Sequence, residues 1–161
     1  AMTLSVFNAE DLDEPTRPLT LALEYAQRQR FHALEGGAVG ELPRPWEARY
    51  LEARPVERRE TPFQLTQALR LESTTHLRVP EGREVSGVED RKRSSPVAGM
   101  DWSLAARAEK DGLALDFQFK RDVGQFPAEQ YAAYTDVLRE AEDALGQRVV
   151  LRPPRVSTPQ P

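Results

Sequence analysis

The sequence predicts a mainly β (α+β) protein: an antiparallel β-sandwich completed by one C-terminal amphipathic helix and a short final strand. Apolar and polar residues alternate along two separate runs, Leu19 to Arg28 and Leu69 to Val79. A further pair of alternating runs meets at Asp111-Gly112. A single helical stripe from Tyr131 to Leu145 then gives way to Val149-Val150-Leu151. About five to seven short strands, prolines at their connections and one late helix make a pattern of packed sheets with a helix laid on or beside them.

The elements follow in chain order. Residues 3–18 are acidic, contain Pro15 and Pro18, and read as a connector with a short strand at Leu4 to Phe7. In the next run, Leu19, Leu21, Leu23 and Tyr25 point one way and Thr20, Ala22, Glu24 and Ala26 the other, the period of a half-buried strand. Phe31 to Leu34 is expected to continue it after a bulge, and Glu35-Gly36-Gly37 to turn. Pro43, Pro45, Pro55 and Pro62 exclude a long helix or a central strand through those positions. Within that stretch Trp46, Tyr50 and Ala53 fit a helical stripe, while Trp46, Ala48 and Tyr50 fit a strand. The prolines favour an edge strand or irregular cover.

From Leu69 to Val79, Leu69, Leu71, Ser73, Thr75, Leu77 and Val79 share one face, and Arg70, Glu72, Thr74, His76 and Arg78 the other. Pro80-Glu81-Gly82 supplies the turn. Glu84 to Val88 is a short strand candidate, and Asp90 to Pro96 a polar loop. Met100, Trp102, Leu104, Ala106 and Ala108 alternate up to Lys110-Asp111-Gly112, and Leu113, Leu115, Phe117 and Phe119 return. Asp-Gly between alternating runs is a hairpin signal. The register is well specified, because a slip by one residue would expose both phenylalanines. Pro127 suits the first turn of a helix. Tyr131, Tyr134, Leu138, Ala141 and Leu145 form its apolar stripe, Glu129 lies near the positive end of its dipole, and Gly146 is expected as a left-handed C-cap.

Composition narrows the function classes. A chain of 161 residues can bury one core. Residues 1–18 are assigned to a vector-derived scar and the acidic connector, 19–152 to a single sandwich-like domain and 153–161 to a disordered tail. The natural chain is expected to continue upstream of Ala1-Met2-Thr3, so no localisation is read from this segment. The net charge of −4 argues against nucleic acid as the main partner. No apolar run approaches the ~20 residues needed to cross a bilayer, so no membrane insertion is expected. The absence of cysteine removes disulfides, thiolate catalysis and cysteine metal sites.

Few residues offer chemistry. His76 shares its face with Glu72 and Thr74, which makes it the one candidate for a small hydrolase; His32, beside Phe31, has no acidic neighbour within two positions. A solvated histidine on a sheet face is the plainer reading. Asp11 and Asp13 with Glu14 offer loose calcium binding at most, because the glycine and spacing of a dedicated loop are absent. Glu140, Glu142 and Asp143 lie on a helix flank, where pairing with Arg139 or Arg148 accounts for them. No catalytic residue, metal ligand or cofactor site is assigned. Arg91, Lys92 and Arg93 form a basic run suited to a solvated loop or to steering an acidic partner. Trp46 and Tyr50 cap the core or, if exposed together, anchor a partner. Trp102, on an apolar face, is expected to be buried.

The order of features resembles the β-rich domain of unknown function that follows the transglutaminase-like domain in bacterial envelope-associated proteins. The resemblance rests on the acidic stretch from Asp11 leading to Pro18-Leu19-Thr20-Leu21 and Tyr25, and on Arg58-Arg59-Glu60-Thr61-Pro62-Phe63. It rests further on Leu69 to Val79 with Pro80-Glu81-Gly82, and on Phe126-Pro127-Ala128-Glu129-Gln130-Tyr131 through Arg148-Val149-Val150-Leu151. It spans residues 4–152; Val85 to Gly99 departs from the pattern, with Arg91-Lys92-Arg93 and Ser94-Ser95-Pro96 where a proline and an aromatic-glycine pair would stand. The family's Cys-His-Asp chemistry belongs to the preceding domain, so the resemblance implies no catalytic role and no cofactor. It implies a non-catalytic accessory or interaction domain in the periplasm or cell envelope, its partners being upstream domains of the same polypeptide or another protein. The alternative is a carbohydrate- or peptidoglycan-binding sandwich, which needs Trp46, Tyr50 or Trp102 flat on the surface.

Overall fold

A computed structural model describes residues 2–10, 20–27, 31–42, 51 and 59–153. The chain divides into two compact units, Ala1–His32 and Ala33–Pro161, where the sequence suggested one domain beginning at residue 19. The first unit holds β1 (Met2–Glu10) and β2 (Thr20–Gln27), paired antiparallel from Met2 opposite Gln27 to Glu10 opposite Thr20, with a register shift between Leu4 and Val6. The stretch expected as an acidic connector therefore contains a nine-residue strand. Backbone pairing with β2 carries the extended conformation past the apolar Leu4–Phe7 segment, through positions whose side chains would not demand it.

From Phe31 onward the fold class is the expected one: antiparallel β-sheets, a single C-terminal amphipathic helix and a short final strand. One sheet orders its strands β6 (Leu69–Arg78), β10 (Gly112–Arg121), β9 (Asp101–Glu109) and β8 (Arg91–Ser94). The other orders β3 (Phe31–Leu34), β4 (Gly37–Glu41), β12 (Arg148–Arg152) and β7 (Glu84–Ser86). A small pair joins β5 (Phe63–Leu65) to β11 (Gly124–Phe126). Phe31–Leu34 does not continue β2; it is a separate strand that turns through Glu35-Gly36 into β4, with Gly36 at φ 77.

Alternation decides what is buried. Leu113, Leu115, Phe117 and Phe119 of β10 are in the core, opposite Ala108, Ala106, Leu104 and Trp102 of β9. On its other side, Phe117 faces Ser73 and Phe119 faces Leu71 of β6. Trp102 is 4% exposed, as its position on the apolar face predicts. The β9–β10 hairpin forms as read, but Gly112 has another reason to be glycine. It begins β10 without a positive φ, and a Cβ there would run into the Leu77 carbonyl of β6.

The helix α1 (Tyr131–Leu145) buries Tyr134, Val137, Leu138, Ala141, Ala144 and Leu145 and packs beside β9 and a 3-10 turn at Val97–Gly99. Pro127 starts a short 3-10 turn over Ala128–Gln130 rather than the α-helix itself. Gly146 is not left-handed: its φ is −88, and its N–H donates to the carbonyls of Glu142 and Asp143. The buried Gln147 amide also donates to the Ala144 carbonyl at 3.1 Å, satisfying one further helix-end acceptor. Val149 and Leu151 of β12 complete the core from the second sheet.

Asp90 to Pro96 is not a loop throughout. Arg91–Ser94 pairs with β9, Arg91 opposite Leu104 and Ser94 opposite Asp101, although all four side chains are exposed. Main-chain pairing with an existing strand needs no apolar side chain, so this strand leaves no hydrophobic signal in the sequence. Of the Trp46 to Ala53 stretch only Leu51 is described, and it is fully buried. Trp46, Tyr50 and residues 154–161 of the expected tail lie outside the described residues.

Candidate functional site

The solvent face of the β6-β10-β9-β8 sheet gathers most of the chemistry singled out in the sequence. Thr74 on β6 stands opposite Asp116 on β10 and donates its hydroxyl to that carboxylate at 2.9 Å. The Arg107 guanidinium of β9 donates to the other Asp116 oxygen. His76 stands opposite Ala114, and Ala114 opposite Arg107. Because the central position is only alanine, the imidazole reaches over it to β9, where Nδ1 lies 3.1 and 3.2 Å from the Glu109 carboxylate oxygens. Glu72 instead pairs with Arg70 on its own strand, at 2.8 Å.

The Glu72, Thr74 and His76 constellation is therefore not assembled: each side chain takes a different partner. These pairs stand in solvent, where each contributes at most about 1 kcal/mol. His32 is also exposed, in β3. Asp11, Asp13 and Glu14 lie outside the described residues. Among the described residues no three His, Asp or Glu side chains are grouped to hold a metal ion, and no helix is long and apolar enough to cross a membrane.

The basic run, expected in a solvated loop, lies instead on the strand β8. Strand alternation sends Arg91 and Arg93 to one face of the sheet and Lys92 to the other. Arg93 pairs across to Glu140 on α1. Arg139 pairs with Asp136 at 2.9 Å, one turn back along the helix, rather than with the carboxylates expected to take it. The ends of β8 are pinned. The Asp90 carboxylate accepts the Ala106 N–H at 2.7 Å, and the Ser95 N–H donates to the Met100 carbonyl at 2.8 Å. One residue earlier, the Gln147 side chain brackets Glu89, donating to its carbonyl and accepting its N–H, both at 3.0 Å. Sequence reasoning missed this clamp, because a glutamine after a helix carries no sign of a partner 58 residues away.

A second cluster joins the small β5–β11 pair to the start of α1. The Phe63 ring lies 5.2 to 5.4 Å from Phe126, Tyr131 and Tyr134. The Arg59 guanidinium sits 5.0 Å from the centre of the Tyr131 ring, and the Arg121 guanidinium donates to the Tyr134 hydroxyl at 2.9 Å. Offset and edge-on rings at these distances lock the helix N-terminus to the pair. The signal was the repeated Phe-next-to-Pro at Pro62-Phe63 and Phe126-Pro127.

The profile of a family described as a domain of unknown function with a solved structure, DUF3858, matches residues 42–151. The chain belongs to the DUF3858 family. The DUF3858 match runs from the residue after β4 to the penultimate residue of β12, so it takes in β8, the clamp, the aromatic cluster and α1. It is narrower than the span of residues 4–152 expected from resemblance, leaving out β1 to β4. No curated protein and no solved structure matches the chain.

Proposed function

We propose that this DUF3858 chain is a non-catalytic accessory domain of a bacterial transglutaminase-like protein, placed in the periplasm or cell envelope, which braces the catalytic-type domain or docks a protein partner. The observation that carries the reading is the basic edge strand β8, whose side chains are all exposed while its backbone is held to β9 and anchored through Asp90 and Ser95. A fixed, solvent-facing element with unspent charge suits recognition, because a partner need not first order it. The histidine and carboxylate pairs of the sheet face support the same reading, since their nearest partners are one another. The burial of Trp102 takes one of the three aromatic rings away from a sugar-stacking role.

The test uses the full chain as bait in an envelope extract of its source organism, with mass spectrometry of what is retained. Recovery of a transglutaminase-like domain of the parent polypeptide is the expected result for a brace. Specific recovery of another protein is the result for a docking module. Retention of glycan alone, or of nothing above background, removes the proposal.

A further inference from the structure

We propose that the outer edge of β8 is a docking site for an extended acidic polypeptide segment, which adds to the sheet as a further antiparallel or parallel strand. The inference rests on the reading of the chain as an interaction domain and deepens it by naming the partner's chemistry.

β8 ends the order β6-β10-β9-β8, so among the described residues one side of its backbone pairs with β9 and the other with no strand. Such an edge presents main-chain donors and acceptors at strand spacing, and an added strand gains affinity from them. Three of its four residues are cationic. Arg93 is engaged by Glu140, whereas Arg91 and Lys92 have no carboxylate partner among the described residues. Because Arg91 and Lys92 point to opposite faces, an added strand would meet a cation on each face. That arrangement fits carboxylates at successive positions of the segment; a segment with acidic groups on one face only would use half of it.

The other long edge contrasts with this one. On β6, Arg70 is paired with Glu72 and His76 with Glu109, so its charges are largely spent within the protein. Cations on an edge strand also guard against edge-to-edge aggregation. That role asks only for charge and predicts no ligand, so binding separates the two. The chain carries a net charge of −4, so attraction for an acidic segment is local to this edge and is screened by salt.

The experiment measures fluorescence anisotropy of a fluorescein-labelled synthetic peptide, three successive glutamates flanked by valines, titrated with the full chain at low salt. Two control peptides accompany it: one with lysines for the glutamates, and one with the acidic sequence N-methylated at every amide, which keeps the charge but removes the main-chain donors from both of its edges. Saturable binding of the unmodified acidic peptide alone is expected. The double variant Arg91→Glu, Lys92→Glu should weaken it by about tenfold or more, the scale of two exposed charge pairs lost and reversed. Arg70→Glu on the other edge should leave it unchanged. Absence of binding, equal binding of the N-methylated peptide, or indifference to the double variant overturns the inference. If the peptide fails to bind while the bait still retains a transglutaminase-like domain or another protein, the edge inference falls alone. If both fail, the interaction reading falls with it.

Discussion

Phe117 stands mid-sheet, with Leu104 on one side, Ser73 on the other, and almost no exposure. Phe117→Ala should cost about 3–5 kcal/mol, because neighbours fixed on three strands cannot close the cavity. The measurement is a urea midpoint that falls with an unchanged slope. His76→Ala is the opposite case. The His76–Glu109 pair is in solvent, so its loss should change stability by less than about 0.5 kcal/mol. A larger loss in the same urea experiment would mean the imidazole does more than cover Ala114. Gln147→Ala lies between them. It takes three hydrogen bonds, leaves the Glu89 backbone and the Ala144 carbonyl to find water, and should cost about 1–3 kcal/mol.

At the scale of elements, the position of a strand in its sheet matters more than its composition. β10 is paired on both sides along nearly its whole length and carries five buried side chains, whereas β8 is paired on one side and carries none. Native-state hydrogen exchange should therefore be slowest in β10 and markedly faster in β8. Amides of β8 exchanging as slowly as those of β10 would mean that its outer edge is already covered. The helix depends on its apolar stripe and on the aromatic cluster that holds its first turn, while its C-terminus depends on Gln147 rather than on a left-handed glycine. Each end is thus secured by side chains from beyond the helix.

For the whole molecule, the division at His32 and Ala33 leaves the second unit with its own core from Leu42 through Leu151. A polypeptide of residues 31–161, which keeps β3 complete, should fold cooperatively on its own, as judged by a single thermal transition and dispersed amide resonances. Loss of cooperative unfolding would show that residues 1–30 are needed for that core. The family match, residues 42–151, lies wholly inside this second unit.

The sequence by itself determined the elements whose side chains had to choose a side. The alternation of β6, β9 and β10 and the three-and-four spacing of α1 were legible because water separates apolar from polar faces wherever an element is half buried. It also placed Trp102 inside. Tertiary structure alone decided the features carried by the backbone or by distant partners. The pairing of Arg91–Ser94 with β9 spends main-chain hydrogen bonds, which no side-chain pattern announces, and it splits the basic run across two faces. Pairing with β2 likewise turned an acidic connector into β1. His76 found Glu109 rather than Glu72 because a small residue, Ala114, happened to stand between strands. The Gly146 N–H reaches the Glu142 and Asp143 carbonyls without a left-handed turn, and Gln147 beside it clamps Glu89, a partner 58 positions away that only the folding of the chain brings within hydrogen-bond reach.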